Sequence, residues 1–260
     1  MKTLTIDGLH VEDHGGDGPP VVFSHGLLWS TRMWSPQIQA LKVRYRCIAF
    51  DHRGQGRSQV PRDRAVTLER NTTDAVRVLD AMGLERVRFV GLSMGGFVGM
   101  RLAARFPDRI EKLALLCTAA DPEPHGNRGK YQKLVMAAKV VGVKPLVGQV
   151  MPILFGDTFM ARKGEPAWTQ WRDELATNGR AVTKCVLGVI EREGVEHELP
   201  NIRCPTLVLS GDEDKAISRR RMEALHRGIV GSTFQAIPMA GHTMTLENAP
   251  AVNAALAEFL

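Results

Sequence analysis

Five short apolar runs, Val21–Phe23, Cys47–Phe50, Val87–Val90, Leu113–Leu116 and Thr206–Leu209, carry no polar residue at alternate positions. A strand with one face in water alternates apolar and polar side chains, so runs without alternation belong to strands buried on both faces. Longer amphipathic stretches separate them. Leu68–Met82 sets Val76, Leu79 and Met82 on one side, with Gly83 placed to cap it, and Met94–Phe106 stops before Pro107. Buried strands alternating with helices imply an α/β chain with a mostly parallel, doubly wound central sheet. Thr3–Ile6, Leu9–Glu12 and Thr233–Ile237 are weaker strand candidates. The 260 residues, 44% of them hydrophobic, suffice for one substantial core, and the 24% charged content fits a folded globular chain.

The alternation stops between about Thr118 and Leu199. This stretch opens with Asp121-Pro122-Glu123-Pro124 and continues through helical patterns at Tyr131–Val141, Val143–Ile153, Trp168–Thr177 and Ala181–Glu191. It contains no strand pattern as strong as its flanks. The expected organisation is a core of residues 1–117 and 200–260 with a helical cap, or lid, at 118–199. The alternative is a set of ordinary crossover helices.

No apolar run approaches the ~18–20 residues needed to span a bilayer. The N-terminal MKTLTIDGLHVEDHGGDGPP carries acids and glycines where a signal peptide needs an uninterrupted apolar segment. Cys47, Cys117, Cys185 and Cys204 form no CxxC pair and have no zinc-finger spacing to a histidine, so reduced, mostly buried thiols are expected. The net charge of +6 comes from scattered residues, and the one cluster, Arg219-Arg220-Arg221, lies in a helical pattern with Met222 and Leu225. These features point to a cytoplasmic protein with neither a membrane nor a nucleic acid as partner.

The chemistry concentrates in Val87-Arg88-Phe89-Val90-Gly91-Leu92-Ser93-Met94-Gly95-Gly96, where Gly-x-Ser-x-Gly joins a strand to a helix. A serine on so sharp a turn needs small neighbours, because a side chain at Gly91 or Gly95 would collide with adjacent backbone. Ser93 then stands at a helix N-terminus, where the Met94 N–H is free to stabilise an oxyanion. A serine nucleophile needs a base, and the base needs an orienting carboxylate. His242, in Ala240-Gly241-His242-Thr243, follows the last strand candidate and precedes the helical Ala249–Leu260. Gly211-Asp212-Glu213-Asp214 follows strand Thr206–Leu209 and offers the acid. His10, His14, His125, His197 and His226 lie elsewhere and read as solvated.

The order Ser, acid, His, with the accompanying motifs, resembles the α/β-hydrolase superfamily over nearly the whole chain. The resemblance is strongest to the branch of carboxylesterases, enol-lactonases and cofactor-free haloperoxidase-type enzymes. His25-Gly26 matches the oxyanion loop, Asp51-His52-Arg53-Gly54-Gln55-Gly56-Arg57-Ser58 the Asp-x-Arg-Gly-x-Gly-x-Ser turn, Gly91–Gly95 the elbow, Gly211–Asp214 the acid loop and Gly241-His242 the base. The fold so implied is the α/β-hydrolase fold, with the helical lid inserted before the acid-bearing strand. The resemblance implies Asp214 as the acid, with Asp212 or Asp121 as alternatives, and an oxyanion hole from the N–H groups of Leu27 and Met94. It also makes His25 an organiser of the oxyanion loop and Asp51, Arg53 and Ser58 a supporting turn. Trp29, Met136, Met151, Phe155 and Trp168 are candidates for substrate binding, with lid packing as the alternative for each. A buried role is expected for Cys117.

The implied function is a serine carboxylesterase or lactonase working through an acyl-enzyme, with no metal or organic cofactor and a small-molecule ester or lactone as partner. Enol-lactonase-like and perhydrolase activities are the sharper alternatives. A non-catalytic ligand-binding protein on the same fold is the reading from another class. Assembly into a homo-oligomer is left open.

Overall fold

The computed structural model describes residues 1–260. Eight strands form one sheet: β1 (Lys2–Ile6), β2 (Leu9–Asp13), β3 (Pro20–Ser24), β4 (Arg46–Phe50), β5 (Val87–Leu92), β6 (Ile110–Leu116), β7 (Thr206–Gly211) and β8 (Thr233–Ile237). Their order is β1-β2-β4-β3-β5-β6-β7-β8. The β1–β2 and β2–β4 pairings are antiparallel, and every pairing from β4 to β8 is parallel. All eight sequence candidates are therefore strands, the three weaker ones included.

The unalternating runs are buried on both faces, as their composition requires. Along β3, β4, β5 and β6 successive residues enter two different cores: Phe23, Ala49, Val90 and Leu116 face one, while Val22, Ile48, Phe89 and Leu115 face the other. The first face is covered by α1 (Ser35–Leu41) and the C-terminal helix Ala249–Phe259. The second is covered by α2 (Leu68–Ala81), α3 (Met94–Arg105) and the helix Arg219–Gly228. Each fully buried Val, Leu, Ile or Phe contributes about 1.5–3 kcal/mol.

Helix ends follow local chemistry. The Thr67 hydroxyl accepts the Arg70 N–H at the start of α2. At its far end Gly83 takes φ +64°, with Gly83 N–H bonded to Asp80 O (3.0 Å) and Leu84 N–H to Leu79 O (2.9 Å). That Schellman closure ends α2 at Ala81, leaving Met82 as the cap. Pro107 ends α3 one residue early by forcing Phe106 out of helical geometry (φ −131°, ψ 58°).

Between β6 and β7 the chain is helical throughout, with α4 (His125–Val141), α5 (Val147–Leu154), α6 (Asp157–Ala161), α7 (Pro166–Ala176) and α8 (Thr183–Ile190) and no strand. The remaining helices are α9 (Arg219–Gly228), α10 (Met244–Glu247) and α11 (Ala249–Phe259). No helix is long and apolar enough to cross a membrane. All four cysteines are unpaired.

Candidate active site

Ser93 sits at the β5–α3 turn with φ 53° and ψ −113°, a left-handed geometry costing a non-glycine residue about 1–3 kcal/mol. The turn is enforced from all sides. Ser93 N–H donates to Leu116 O (2.8 Å), and Ser93 O accepts from Phe97 N–H (3.0 Å) and from the Thr118 hydroxyl (2.9 Å). A Cβ on Gly91 would overlap the Gly95 carbonyl, and one on Gly95 the Ser24 carbonyl. Any side chain at either glycine would push the elbow open.

His242 follows β8 and precedes α10. Its Nε2 lies 2.8 Å from Ser93 Oγ, and its Nδ1 lies 2.9 Å from Asp214 Oδ2 and 3.1 Å from Oδ1. Asp214 Oδ1 also accepts the N–H groups of Ala216 (2.8 Å) and Ile217 (3.0 Å). The carboxylate is thus fixed before it meets the imidazole, and Nδ1–H donating to it leaves Nε2 as acceptor for the serine hydroxyl. Asp212 accepts only Ala240 N–H (3.3 Å), and both oxygens of Asp121 take Arg221 Nε (2.9 Å each).

The loop after β3 approaches the elbow so closely that a Cβ on Gly26 would come within 2.9 Å of Leu92. Leu27 N–H donates no hydrogen bond within the chain, and Met94, as the first residue of α3, has no partner four residues back. Two free donors therefore flank Ser93. His25 holds this loop: its Nε2 accepts His52 N–H (2.9 Å), so its Nδ1–H donates to Gly26 O (2.7 Å). Burial pulls the pKa of His25 below the usual imidazole value and that of His52 well below it, keeping both rings neutral. Asp51 accepts the N–H groups of Thr31 (2.7 Å) and Arg57 (2.8 Å). Arg53 meets buried Asp74 through Nε (2.8 Å) and Nη2 (2.9 Å), which draws it away from the site.

Two supporting residues escaped the sequence reading. Gln55 accepts Leu28 N–H (2.7 Å) and directs its amide to Met94 Sδ (3.7 Å), linking the two loops that carry the free donors. Glu247 accepts the N–H groups of Gly156 (2.8 Å), Gly241 (2.9 Å) and Thr243 (3.0 Å), bracketing His242 and tying it to the α5–α6 turn. Burial outweighs these bonds and pushes the Glu247 carboxyl up to about 7. The only sequence signal for Glu247 is an acid five residues beyond His242 in an otherwise apolar stretch.

Cys117 Sγ, Asp214 and His242 are the one group of potential ligands close enough to share a metal. The set suits that role poorly. Asp214 is engaged by His242 and two N–H groups, and burial pushes the Cys117 thiol well above its ordinary value, away from the thiolate a metal needs.

A cavity of about 150 Å³ opens beside Ser93 and His242. Trp29 lines it, together with Tyr131, Leu134, Val135 and Ala138 of α4, Val150, Ile153 and Leu154 of α5, and Val186, Val189 and Ile190 of α8. Four of the aromatic and methionine candidates lie elsewhere. Met136 is 64% exposed, because it falls off the 131/134/135/138 stripe that α4 turns inward. Met151, Phe155 and Trp168 are buried in the core shared with the sheet and do not line the cavity. Phe155 stacks on Phe159 (4.4 Å between centroids) and backs Trp29 edge-on (5.9 Å).

A nucleophile elbow at the carboxyl edge of a parallel sheet, a histidine after the last strand and an acid after the strand before it define one class of protein. The model of the α/β hydrolase fold family matches residues 19–249, and the chain belongs to that family. It is a hydrolase of that fold. It is 30% identical over 263 residues to the Caulobacter sp. (strain K31) protein named "Putative carbamate hydrolase RutD", covering 100% of this chain and 98% of that one. The enol-lactonase of Burkholderia xenovorans LB400 superposes with TM-score 0.90 at 28% identity, over 99% of both chains. A thermophilic esterase of Thermogutta terrifontis, described as malate bound, superposes with TM-score 0.89 at 29% identity, over 99% of this chain and 96% of its own.

Proposed function

We propose that the protein hydrolyses carboxylic ester or lactone bonds through an acyl-enzyme on Ser93. The observation that carries this reading is the unbroken relay Asp214–His242–Ser93, at 2.9 Å and 2.8 Å, beside two free backbone donors. Ser93 Oγ attacks the carbonyl carbon while His242 Nε2 takes its proton. Asp214 holds the tautomer and stabilises the imidazolium, and the Leu27 and Met94 N–H groups receive the oxyanion. Collapse breaks the bond to the leaving oxygen, which leaves with the proton from His242. Water then repeats the sequence on the acyl-enzyme, releasing the acid and restoring Ser93.

The helices between β6 and β7 act in this reading as a lid over residues 118–199, with Trp29 and the inward stripes of α4, α5 and α8 in contact with substrate. The enol-lactonase and esterase neighbours support an acyl-oxygen bond as the target. Whole-length similarity to a protein named for carbamate hydrolysis supports a second reading, attack on a carbamate carbonyl by the same groups with an amine as leaving group.

The test is labelling followed by a substrate panel. A p-nitrophenyl phosphonate should add one covalent label, on Ser93, and p-nitrophenyl hexanoate should be turned over faster than the corresponding carbamate. A label on another residue removes the serine mechanism. A carbamate preference keeps the mechanism and selects the second reading.

A further inference from the structure

The cavity beside Ser93 has a wall of one electrical character. Twenty of its twenty-five lining residues are hydrophobic, and no Lys or Arg is among them. Apart from His242, its titratable lining groups are Glu123 and Tyr131, and burial beside Glu123 raises the Tyr131 pKa, so the phenol stays neutral. Glu123 is the one acidic side chain in the wall.

That side chain has a partner, but the partner is not in the wall. Arg192, 4% exposed, donates Nη1–H to Glu123 Oε2 (2.9 Å) and to Val189 O (2.8 Å), and Nη2–H to Asp121 O (3.2 Å). Its guanidinium lies 4.2 Å from the centroid of Phe97, a wall residue, and Arg192 itself does not line the cavity. Asn127 Nδ2–H donates to Glu123 Oε1 (3.0 Å). The anion of the pair meets the cavity, while the cation is not among the lining residues; its Nη1 and Nη2 are held by oxygens and its buried Nε has no hydrogen-bond partner. Each carboxylate oxygen keeps a lone pair beyond these bonds.

We propose that this chamber selects substrates by charge: it takes an uncharged, apolar group and rejects a carboxylate, with Glu123 as the specificity-determining residue. This rests on the serine-hydrolase reading above. A cavity of about 150 Å³ lined by aliphatic side chains is the size that accepts a benzene-like group, so an acyl chain of roughly six carbons fills it. An ionised carboxylate at the end of that chain loses its water, finds no cation in the wall and shares the cavity with the Glu123 side chain. An ammonium loses its water too but is attracted by the same carboxylate. The selectivity order is neutral, then cationic, then anionic.

Three p-nitrophenyl esters of equal length test the order: hexanoate, 6-aminohexanoate and the monoester of adipic acid. For the unaltered protein kcat/KM should fall about 100-fold or more from hexanoate to the adipate ester, with 6-aminohexanoate between them. Glu123→Gln keeps a hydrogen-bonding group toward Arg192 and Asn127 and leaves Arg192 as the nearest charge. It should raise the adipate-to-hexanoate ratio at least about tenfold. Calorimetric binding of hexanamide and adipic acid monoamide to Ser93→Ala reads the chamber without chemistry, and the neutral amide should bind at least about tenfold tighter. Comparable affinities for the two amides, comparable kcat/KM for hexanoate and adipate esters, or a ratio unmoved by Glu123→Gln each overturn the proposal. Failure of the underlying reading looks different: Ser93 then takes no phosphonate label, whatever the two amides do.

Discussion

Around Ser93 each loop is held by polar groups with named partners. His25 fixes Gly26, Asp51 collects two N–H groups, Gln55 links Leu28 to Met94, and Glu247 brackets His242. The helices from α4 to α8 are built the other way. Their inward faces are aliphatic stripes, and Met151, Phe155 and Trp168 merge with the sheet's own core. Polar ties join them to the frame as well, among them Gly156 N–H to Glu247, Thr158 N–H to Glu213, Asn178 to Leu28 O, Thr243 N–H to Leu154 O, Val66 N–H to Lys184 O and the Arg32–Glu174 pair, but the stripes that face the cavity are aliphatic. Hydrogen bonds fix direction within a few tenths of an ångström, whereas apolar packing fixes volume and tolerates exchange among similar side chains. The frame is built for geometry and the helical segment for shape.

The sharpest contrast should come from Ser93→Ala, which is expected to lower ester kcat by up to about 10⁶-fold while leaving thermal unfolding nearly unchanged. Substantial remaining turnover would place the nucleophile outside the frame. Next in size is the pair of aspartates. Asp214→Asn should cost about 10⁴-fold in kcat, since the imidazole loses its orienting acceptor. Asp212→Asn should mainly lose stability, about 1 kcal/mol, through one N–H bond. A reversed pattern would move the acid role to Asp212.

Breaking the frame's buried ion pair tests stability alone. Asp74→Ala leaves Arg53, 5% exposed, with only Asp7 as a partner, through the Asp7 carbonyl (3.0 Å) and carboxylate (3.5 Å), and is expected to cost about 3 kcal/mol in denaturant unfolding. A loss below 1 kcal/mol would show that Arg53 finds solvent easily. The frame should also be the acid-sensitive half. His25 and His52 have folded-state pKa values below the unfolded 6.5 because burial disfavours their charged form. Their contribution is present above pH 6.5 and is lost as pH falls through the folded values, with a slope of up to about 1.4 kcal/mol per pH unit for each ring. Glu247 has the opposite sign: raised to about 7, it contributes fully below 4.5 and loses that contribution as pH rises through 7. Hydrogen exchange at pH 5 should therefore open the loops after β3 and β4 before α4, whose one histidine, His125, is exposed, or α8, which has none. Simultaneous opening of both regions would erase the distinction.

The smallest effects should fall in the helical segment. Leu134→Ala or Val186→Ala should alter preference among acyl chain lengths by about 1–3 kcal/mol per contact while the triad still works. Met136→Ser, on the outer face of α4, should change neither preference nor stability by more than about 0.5 kcal/mol. A flat chain-length profile across the lining variants would reduce these helices to scaffold.

What was legible in the sequence followed from constraints a single segment can express. An unalternating Val87–Val90 run must be buried on both faces, Gly91 and Gly95 must stay small beside Ser93, and Pro107 must end a helix. The sheet, the elbow and the positions brought together at its edge were readable for that reason. The choice of Asp214 over Asp212 rested on resemblance, and only the fold shows which carboxylate meets His242. The roles of Gln55, an unassigned position of the Asp51–Ser58 turn, and of Glu247 were not legible, because their bonds join residues far apart in the chain, to Met94 and Gly156 respectively. The cavity wall was misread for a related reason. Large side chains such as Met136, Phe155 and Trp168 stood out in the sequence, yet which face of a helix turns inward depends on what it packs against. The stripe Tyr131, Leu134, Val135 and Ala138 has the right spacing for an inward face, and only tertiary packing set that stripe over Ser93 and turned Met136 to water.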